Sequence, residues 1–216
     1  KIEKISYEEM LEMSSTGAKV LQTRSVELAM KNNLTLQVLS SLTNSKGTFI
    51  VNEKQLIEKE IVSGVSYSNN ESKITISGVP DKPGISAKIF GILSNKNINV
   101  DMIVQNISQD GIYANLTFTV NSKDMKISKK LLEKNKNDIN FKAISTDSDV
   151  SKISVVGMGM MSQTGVAEKM FQTLADNKIN ILAISTSEIK ISVLIDKKYT
   201  NQAIKTLHSV YNLNKN

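Results

Sequence analysis

Ser72-Lys-Ile-Thr-Ile-Ser-Gly-Val79 and Ser151-Lys-Ile-Ser-Val-Val-Gly-Met158 render one pattern twice: an alternating strand that runs into a glycine. Further along, Ala87-Lys-Ile-Phe90 matches Glu168-Lys-Met-Phe171, and Asn97-Ile-Asn-Val100 matches Lys178-Ile-Asn-Ile181, with two extra residues taken up by the second copy's loop. In the first copy the periodicity predicts strands at about 73–79, 98–107 and 112–120, helices at about 84–95 and 122–135, and a closing strand at about 139–146. That βαββαβ order specifies an α+β fold, the ferredoxin-like four-stranded antiparallel sheet with both helices on one face. The second copy predicts strands at about 152–158, 179–187 and 189–195 and helices at about 165–177 and 199–211, and then has no closing strand. Repeat logic names the donor. Ile61-Val-Ser-Gly-Val-Ser-Tyr67 precedes the first opening strand as Asn140-Phe-Lys-Ala-Ile-Ser-Thr146 precedes the second, so the first unit is expected to be inserted in the second. Leu34–Leu39 is the rival donor, with no counterpart in the repeat.

Composition narrows the functions. The 216 residues include no Cys and one His, which excludes a disulfide framework, a cysteine nucleophile and a multi-histidine metal site. No apolar run approaches the roughly 20 residues of a membrane span, and no signal peptide opens the chain, so a cytoplasmic setting is expected. The net charge of +6 is spread along the chain. Its densest stretch, Lys123 to Lys136, interleaves lysines with Ile127, Leu131 and Leu132, which reads as the solvated side of a helix. Residues 1–33 differ in character: Tyr7–Met13 and Val26–Met30 have helical spacing, Ser6 and Glu9 suit a capping box, and Glu8 and Glu9 are expected to be solvated. Two short helices bury no core of their own, so this segment reads as the end of a domain whose bulk lies upstream.

The loop Val79-Pro-Asp-Lys-Pro-Gly-Ile85 joins a strand to a helix N-terminus, where unpaired N–H groups and the dipole favour a carboxylate. Pro83 can open the helix, Gly84 admits close approach of a ligand, and Asp81 can accept an ammonium, so together they fit an amino acid. Gln105 and Asn106 supply amides that could read the ligand. The competing reading has Asp81 and Pro83 only capping and starting the helix, and the two amides only cross-linking strands. The second loop, Gly159-Met-Met-Ser-Gln-Thr-Gly165, lacks an aspartate, and Ser162 or Thr164 is expected to cap its helix. Met158, Met160 and Met161 either line an adaptable pocket or pack the interior. No phosphate loop, His-Glu-x-x-His or nucleophile–histidine pair is present, and His208 reads as a surface or packing residue, so no catalytic residue and no metal ligand is assigned.

Four stretches then carry a family resemblance: Gly17-Ala-Lys-Val-Leu-Gln-Thr-Arg-Ser-Val-Glu-Leu-Ala29, Val79-Pro-Asp-Lys-Pro-Gly84, Asp101-Met-Ile-Val-Gln-Asn106 and Ile184-Ser-Thr-Ser-Glu-Ile-Lys-Ile-Ser-Val193. In this order, with a paired repeat, the chain resembles the C-terminal regulatory half of a bacterial aspartokinase, the enzyme that phosphorylates aspartate with ATP at the head of the lysine, threonine and methionine pathway. The resemblance implies tandem ACT domains that bind lysine or threonine or both and inhibit an upstream kinase domain, where ATP and Mg would bind. This chain would hold no cofactor and be inactive alone. The implied division is 1–50 as the end of the kinase domain and linker, 72–148 as the first ACT domain, and 61–68 plus 149–216 as the second. It also implies a homodimer, with effectors held between the first ACT unit of one chain and the second of its partner. Carried over residue by residue, Asp81, Lys82, Gly84, Ile85, Ser86, Gln105, Asn106, Ser108 and Thr117 fall at or near effector positions, with Asn180 and Ile181 opposite. One departure is Gln22-Thr23, where the family has His-Pro. A free-standing ACT-type amino-acid sensor is the alternative. An RNA-binding module on this topology would want exposed aromatics on the central strands, and only Phe118 is available.

Overall fold

Two long strands organise the chain in the computed structural model, which describes residues 2–18, 20–56, 61–109 and 111–213; Lys1, Lys19 and the last three residues of the second-domain assignment lie outside these. They are β4 (Gly64–Pro80) and β7 (Ala143–Val156), paired antiparallel at the centre of a six-stranded antiparallel sheet. The first unit uses the C-terminal half of β4, then α3 (Ile85–Ser94), β5 (Val100–Ile107), β6 (Tyr113–Asn121), α4 (Met125–Lys134) and the short α5 (Lys136–Ile139), and closes on the first half of β7. The second starts on the other half of β7 and continues through α6 (Val166–Asp176), β8 (Ile181–Thr186), β9 (Lys190–Asp196) and α7 (Thr200–Val210). Its missing strand is Gly64–Ser68 of β4, paired with Val156–Lys152, so the first unit is inserted in the second. The order across the sheet is β5-β6-β4-β7-β9-β8.

The repeat extends to the backbone. Gly84 and Gly165 precede their helices at φ 91 and 90, and Asn97 and Lys178 turn into the next strand at φ 55 and 58. Each unit buries its own apolar core beneath its helices: Ile74, Ile76, Leu116 and Phe118 against Ile89, Leu93 and Leu132 in the first, Ile153, Val155 and Val193 against Met170, Leu174 and Leu207 in the second. Each fully buried side chain of this kind contributes about 1.5–3 kcal/mol. The sheet also curls, so that Met102 of β5 joins Val150 of the central β7 and Leu182, Ala183 and Leu194 from the opposite end of the strand order.

Several expectations are corrected. The closing strand of one unit and the opening strand of the next are a single strand. The strands expected at about 139–146 and 152–158 are joined through Asp147-Ser148-Asp149, with Ser148 hydrogen-bonded to Ser72 (3.0 Å) and Asp147 paired with Lys73 (3.9 Å) while a register shift absorbs the mismatch. The closing strand starts at Ala143 rather than at about 139: residues 136–139 form α5, and Asn140 ends that turn at φ 61. On α4 the buried positions are Ser128 and Leu132, whereas Ile127 is exposed, so the inward face is rotated by one residue.

The two N-terminal helices share a core with strands that extend to Val51. β1 (Lys4–Ser6), α1 (Tyr7–Ser15), α2 (Thr23–Lys31), β2 (Leu36–Val38) and β3 (Thr48–Val51) build a three-stranded sheet of order β1-β3-β2 with two helices, burying Ile5, Tyr7, Met10, Val26, Ala29 and Ile50. The Leu34–Leu39 segment therefore belongs to this small sheet and not to the second unit. Strands of three or four residues leave no periodic signal, and β1 pairs with β3 across more than forty positions.

Candidate functional site

The β4–α3 loop is held as a turn: the Asp81 amide donates to Ile112 O (3.0 Å), Lys82 to Pro80 O (3.0 Å) and Ile85 to Lys82 O (3.3 Å). Gly84, in the left-handed region, then turns the chain into α3, and the space around its α-carbon is open. No side chain caps α3, so Asp81 is not spent as a cap. Beneath this helix N-terminus lies a small, half-open pocket. Val79, Ile89, Ala114 and Leu116 give it an apolar floor, and Asp81, Lys82, Ile85, Ser86 and Gln105 line its sides. Ser86 Oγ donates to Gln105 Oε1 at 3.3 Å. Helix geometry leaves the Ser86 and Ala87 amides without intrahelical acceptors, which suits a carboxylate, and the Asp81 carboxylate across the loop suits an ammonium. The lining thus offers a partner for each charge of a zwitterion, around a cavity of about 20 Å³ that is open to solvent on one side.

The structure assembles only part of the anticipated set there. Adjacent strand residues face opposite sides, so Gln105 shares the helix side with Leu116 while Asn106 lies opposite Asn115 on the far side. Thr117 is also on the far side, hydrogen-bonded to Thr75 (3.0 Å). Ser108 closes the β5–β6 turn through Tyr113 O (2.7 Å). Asn180 and Ile181 belong to the second unit, where Asn180 is exposed and Ile181 packs on the second core. In the second loop neither Ser162 nor Thr164 caps α6; Gly165 is its N-cap, and Ser162 Oγ donates to Gly159 O (3.3 Å). Met158 is buried, Met160 packs on the core and Met161 is exposed, so the packing reading holds for the first two. A broader groove runs between the N-terminal segment and α6–α7, with His208 and Tyr211 on one wall. Among the described residues no group of three or more His, Cys, Asp or Glu could hold a metal, and no helix is long and apolar enough to cross a membrane.

Two polar clusters escape sequence reading. The first centres on Glu9, which is not solvated but 3% exposed. Its Oε2 accepts from the Ser6 amide (3.1 Å) and hydroxyl (3.0 Å), completing the expected capping box, and its Oε1 accepts from the Ser63 hydroxyl and the Met158 amide (2.9 Å). With Glu12–Lys190 (2.7 Å) and Thr16–Ser66, this docks α1 on the sheet face of the second unit away from its helices. The second centres on Lys152, 4% exposed in β7, bonded to Asp101 of β5 and 3.5 Å from Glu71 of β4. Burial pushes the Asp101 carboxyl up, but the bond to Lys152, its charge and the Met102 amide outweigh this and hold it below its ordinary value. The available signal was the run Ser151-Lys-Ile-Ser-Val-Val156, whose residues are all buried although alternation would expose every second one.

The ACT domain family matches residues 74–135 and 153–211. The chain is 45% identical over 214 residues to an aspartate kinase of Pseudomonas fluorescens and 48% identical over 217 residues to an aspartokinase of Helicobacter pylori; each alignment covers 99% of the chain but 52% and 53% of the relative. The chain thus spans about half the length of the curated relatives it matches. Among solved structures, one of aspartokinase alpha and beta subunits aligns at TM-score 0.66 and 44% identity, over 70% of this chain and 99% of that one. Escherichia coli aspartokinase III in complex with lysine and aspartate aligns at TM-score 0.74 over 97% of this chain and 46% of that one; at 22% identity this speaks for the fold alone.

Proposed function

We propose, for a chain that belongs to the ACT-domain family and matches the regulatory ACT region of aspartokinases, that it binds an end-product amino acid and thereby controls an aspartate kinase. The observation that carries the reading is the pocket under α3, where a helix N-terminus, the Asp81 carboxylate and the Ser86–Gln105 pair surround an apolar floor. Lysine and threonine are the candidate effectors. The kinase half, with its ATP and Mg, would transfer phosphate to L-aspartate to give 4-phospho-L-aspartate in the cytoplasm. Pairing of two chains through their ACT units would bring Asn180 and Ile181 of one toward the first-unit pocket of the other. The exposed Ile107 and Ile112 at the β5–β6 end suit such a contact. Control requires that the effector bind one kinase state more tightly than the other, since equal affinity shifts nothing.

Calorimetric titration with lysine, with threonine, and with each in the presence of the other tests the reading. Saturable binding that Asp81→Ala weakens at least tenfold, without loss of stability at this exposed position, is the expected result. Unchanged affinity in that variant refutes the ammonium assignment, and no heat with either amino acid overturns the effector assignment for this chain.

A further inference from the structure

Gln105 faces the pocket only because β5 carries one residue too many. Asp101 pairs with Thr119 and Val104 with Thr117, so Met102 and Ile103 stand against Phe118 alone. This is a bulge, and Met102 within it has φ 45, a conformation unfavourable to any residue with a side chain. A bulge of one residue reverses the facing of everything after it. With it, Gln105 opposes Leu116 on the helix side and Asn106 opposes Asn115. In an unbroken ladder Gln105 would oppose Asn115, and Asn106 would turn toward α3 in its place.

Most of what holds the bulge comes from outside the β5–β6 hairpin. Asp101 Oδ1 accepts the Met102 amide at 2.8 Å, and its Oδ2 is bonded to Lys152 of the second unit. The Met102 side chain, 4% exposed, is packed among Val150, Leu182, Ala183 and Leu194, which lie on β7, β8 and β9. The depressed Asp101 carboxyl agrees with a group kept ionised by this contact.

We infer that Lys152 and Asp101 are positioning residues for the first unit's pocket: the second unit, through them, fixes the bulge at Met102 and so selects Gln105 rather than Asn106 to meet Ser86. The inference rests on the amino-acid-binding reading for its functional consequence, but not for its geometry. The two units are then coupled without any ligand spanning them.

The test is isotope-edited NMR of the ligand-free chain, followed by titration with lysine and with threonine. In the parent chain the Gln105 side-chain amide is expected to show cross-peaks to Ser86 and Ile89, and Asn106 none. Asp101→Ala, at an exposed edge-strand position, is expected to lose the Gln105 cross-peaks and to bind the effector at least tenfold more weakly. Lys152→Met is expected to do the same, and Lys152→Arg to retain both. Adding Met102→Gly to Asp101→Ala should restore the Gln105 cross-peaks, because glycine adopts the bulge conformation unaided, and a general loss of packing would not be rescued in this way. Cross-peaks that survive in both Asp101→Ala and Lys152→Met overturn the inference. If either variant fails to fold, the double variant with Met102→Gly decides by the same cross-peaks. A parent chain that binds neither amino acid removes the effector reading and leaves the cross-peak result standing on its own.

Discussion

Replacing Glu9 by Gln changes one oxygen to an NH2 group, and the surroundings of Glu9 make that change costly. The carboxylate meets a backbone N–H at each end: Ser6 at Oε2 (3.1 Å) and Met158 at Oε1 (2.9 Å). The hydroxyls of Ser6 and Ser63 can rotate to accept from an amide, but a backbone N–H cannot. Whichever way the new side-chain amide turns, one buried N–H therefore faces an NH2 and loses its acceptor. A hydrogen bond to a charged group is worth about 1.5–3 kcal/mol, and the orphaned donor keeps its desolvation cost. With a urea slope of about 2–3 kcal/mol/M, the unfolding midpoint should fall by roughly 0.5–1.5 M. Hydrogen exchange should locate the loss, with faster exchange at Met158 or at Ser6. Glu8→Gln is the matched control: Glu8 Oε2 is buried without a hydrogen-bond partner, so removing its charge should leave the midpoint unchanged or raise it. A Glu9→Gln midpoint within about 0.2 M of the parent would refute the buried-acceptor account.

Tyr211 offers an alkaline test. Burial pushes its phenol up to about 12, and its hydroxyl donates to Val166 O at 2.7 Å. A folded-state value raised above the unfolded one means stabilisation that is complete below about pH 10 and is lost as pH rises through the folded value. In a spectrophotometric titration, Tyr211→Phe should remove a phase that ionises at about pH 12 and cost about 1 kcal/mol at neutral pH. The acid side has the opposite sign: depression of Asp101 stabilises above the ordinary carboxylate value, and this is lost as pH falls through the lower, folded value. Asp101→Asn should therefore flatten the stability curve below about pH 4 in acid-unfolding experiments. Gly17 and Gly84 separate conformation from space. Both have positive φ, but a methyl on Gly17 would lie 1.8 Å from Tyr67 O, whereas one on Gly84 meets nothing. Thermal unfolding should show Gly84→Ala costing about 1–2 kcal/mol, the conformational term alone, and Gly17→Ala costing more, with α1 lifted from the sheet.

The residues that announced the fold are those whose role is local and repeated. Ile74 and Ile76, or Ile153 and Val155, alternate because one face of each strand meets helices, and a glycine precedes each first helix because the same left-handed turn is needed twice. The missing strand could also be named, since an incomplete repeat has to be completed by the segment standing where its counterpart stands. Asp81, Ser86 and Gln105 were legible as pocket residues for a related reason, because a loop before a helix N-terminus has chemistry of its own whatever surrounds it. What stayed hidden depends on a second surface. β7 gave no warning that both its faces from Ser151 to Val156 are covered, one by α6 and α7, the other by α1 and by the curled edge at β5. Lys152 and Glu9 look solvated to any rule that reads spacing, since only tertiary contact places an acceptor or a donor beside them. The division of Gln105 from Asn106 is the sharpest instance. Neighbours in sequence with the same amide chemistry part company at a bulge three residues earlier, and that bulge is held by a lysine from the other repeat. A sequence rule that reads one repeat at a time therefore finds the pocket's composition but misses its facing, which only the joined pair determines.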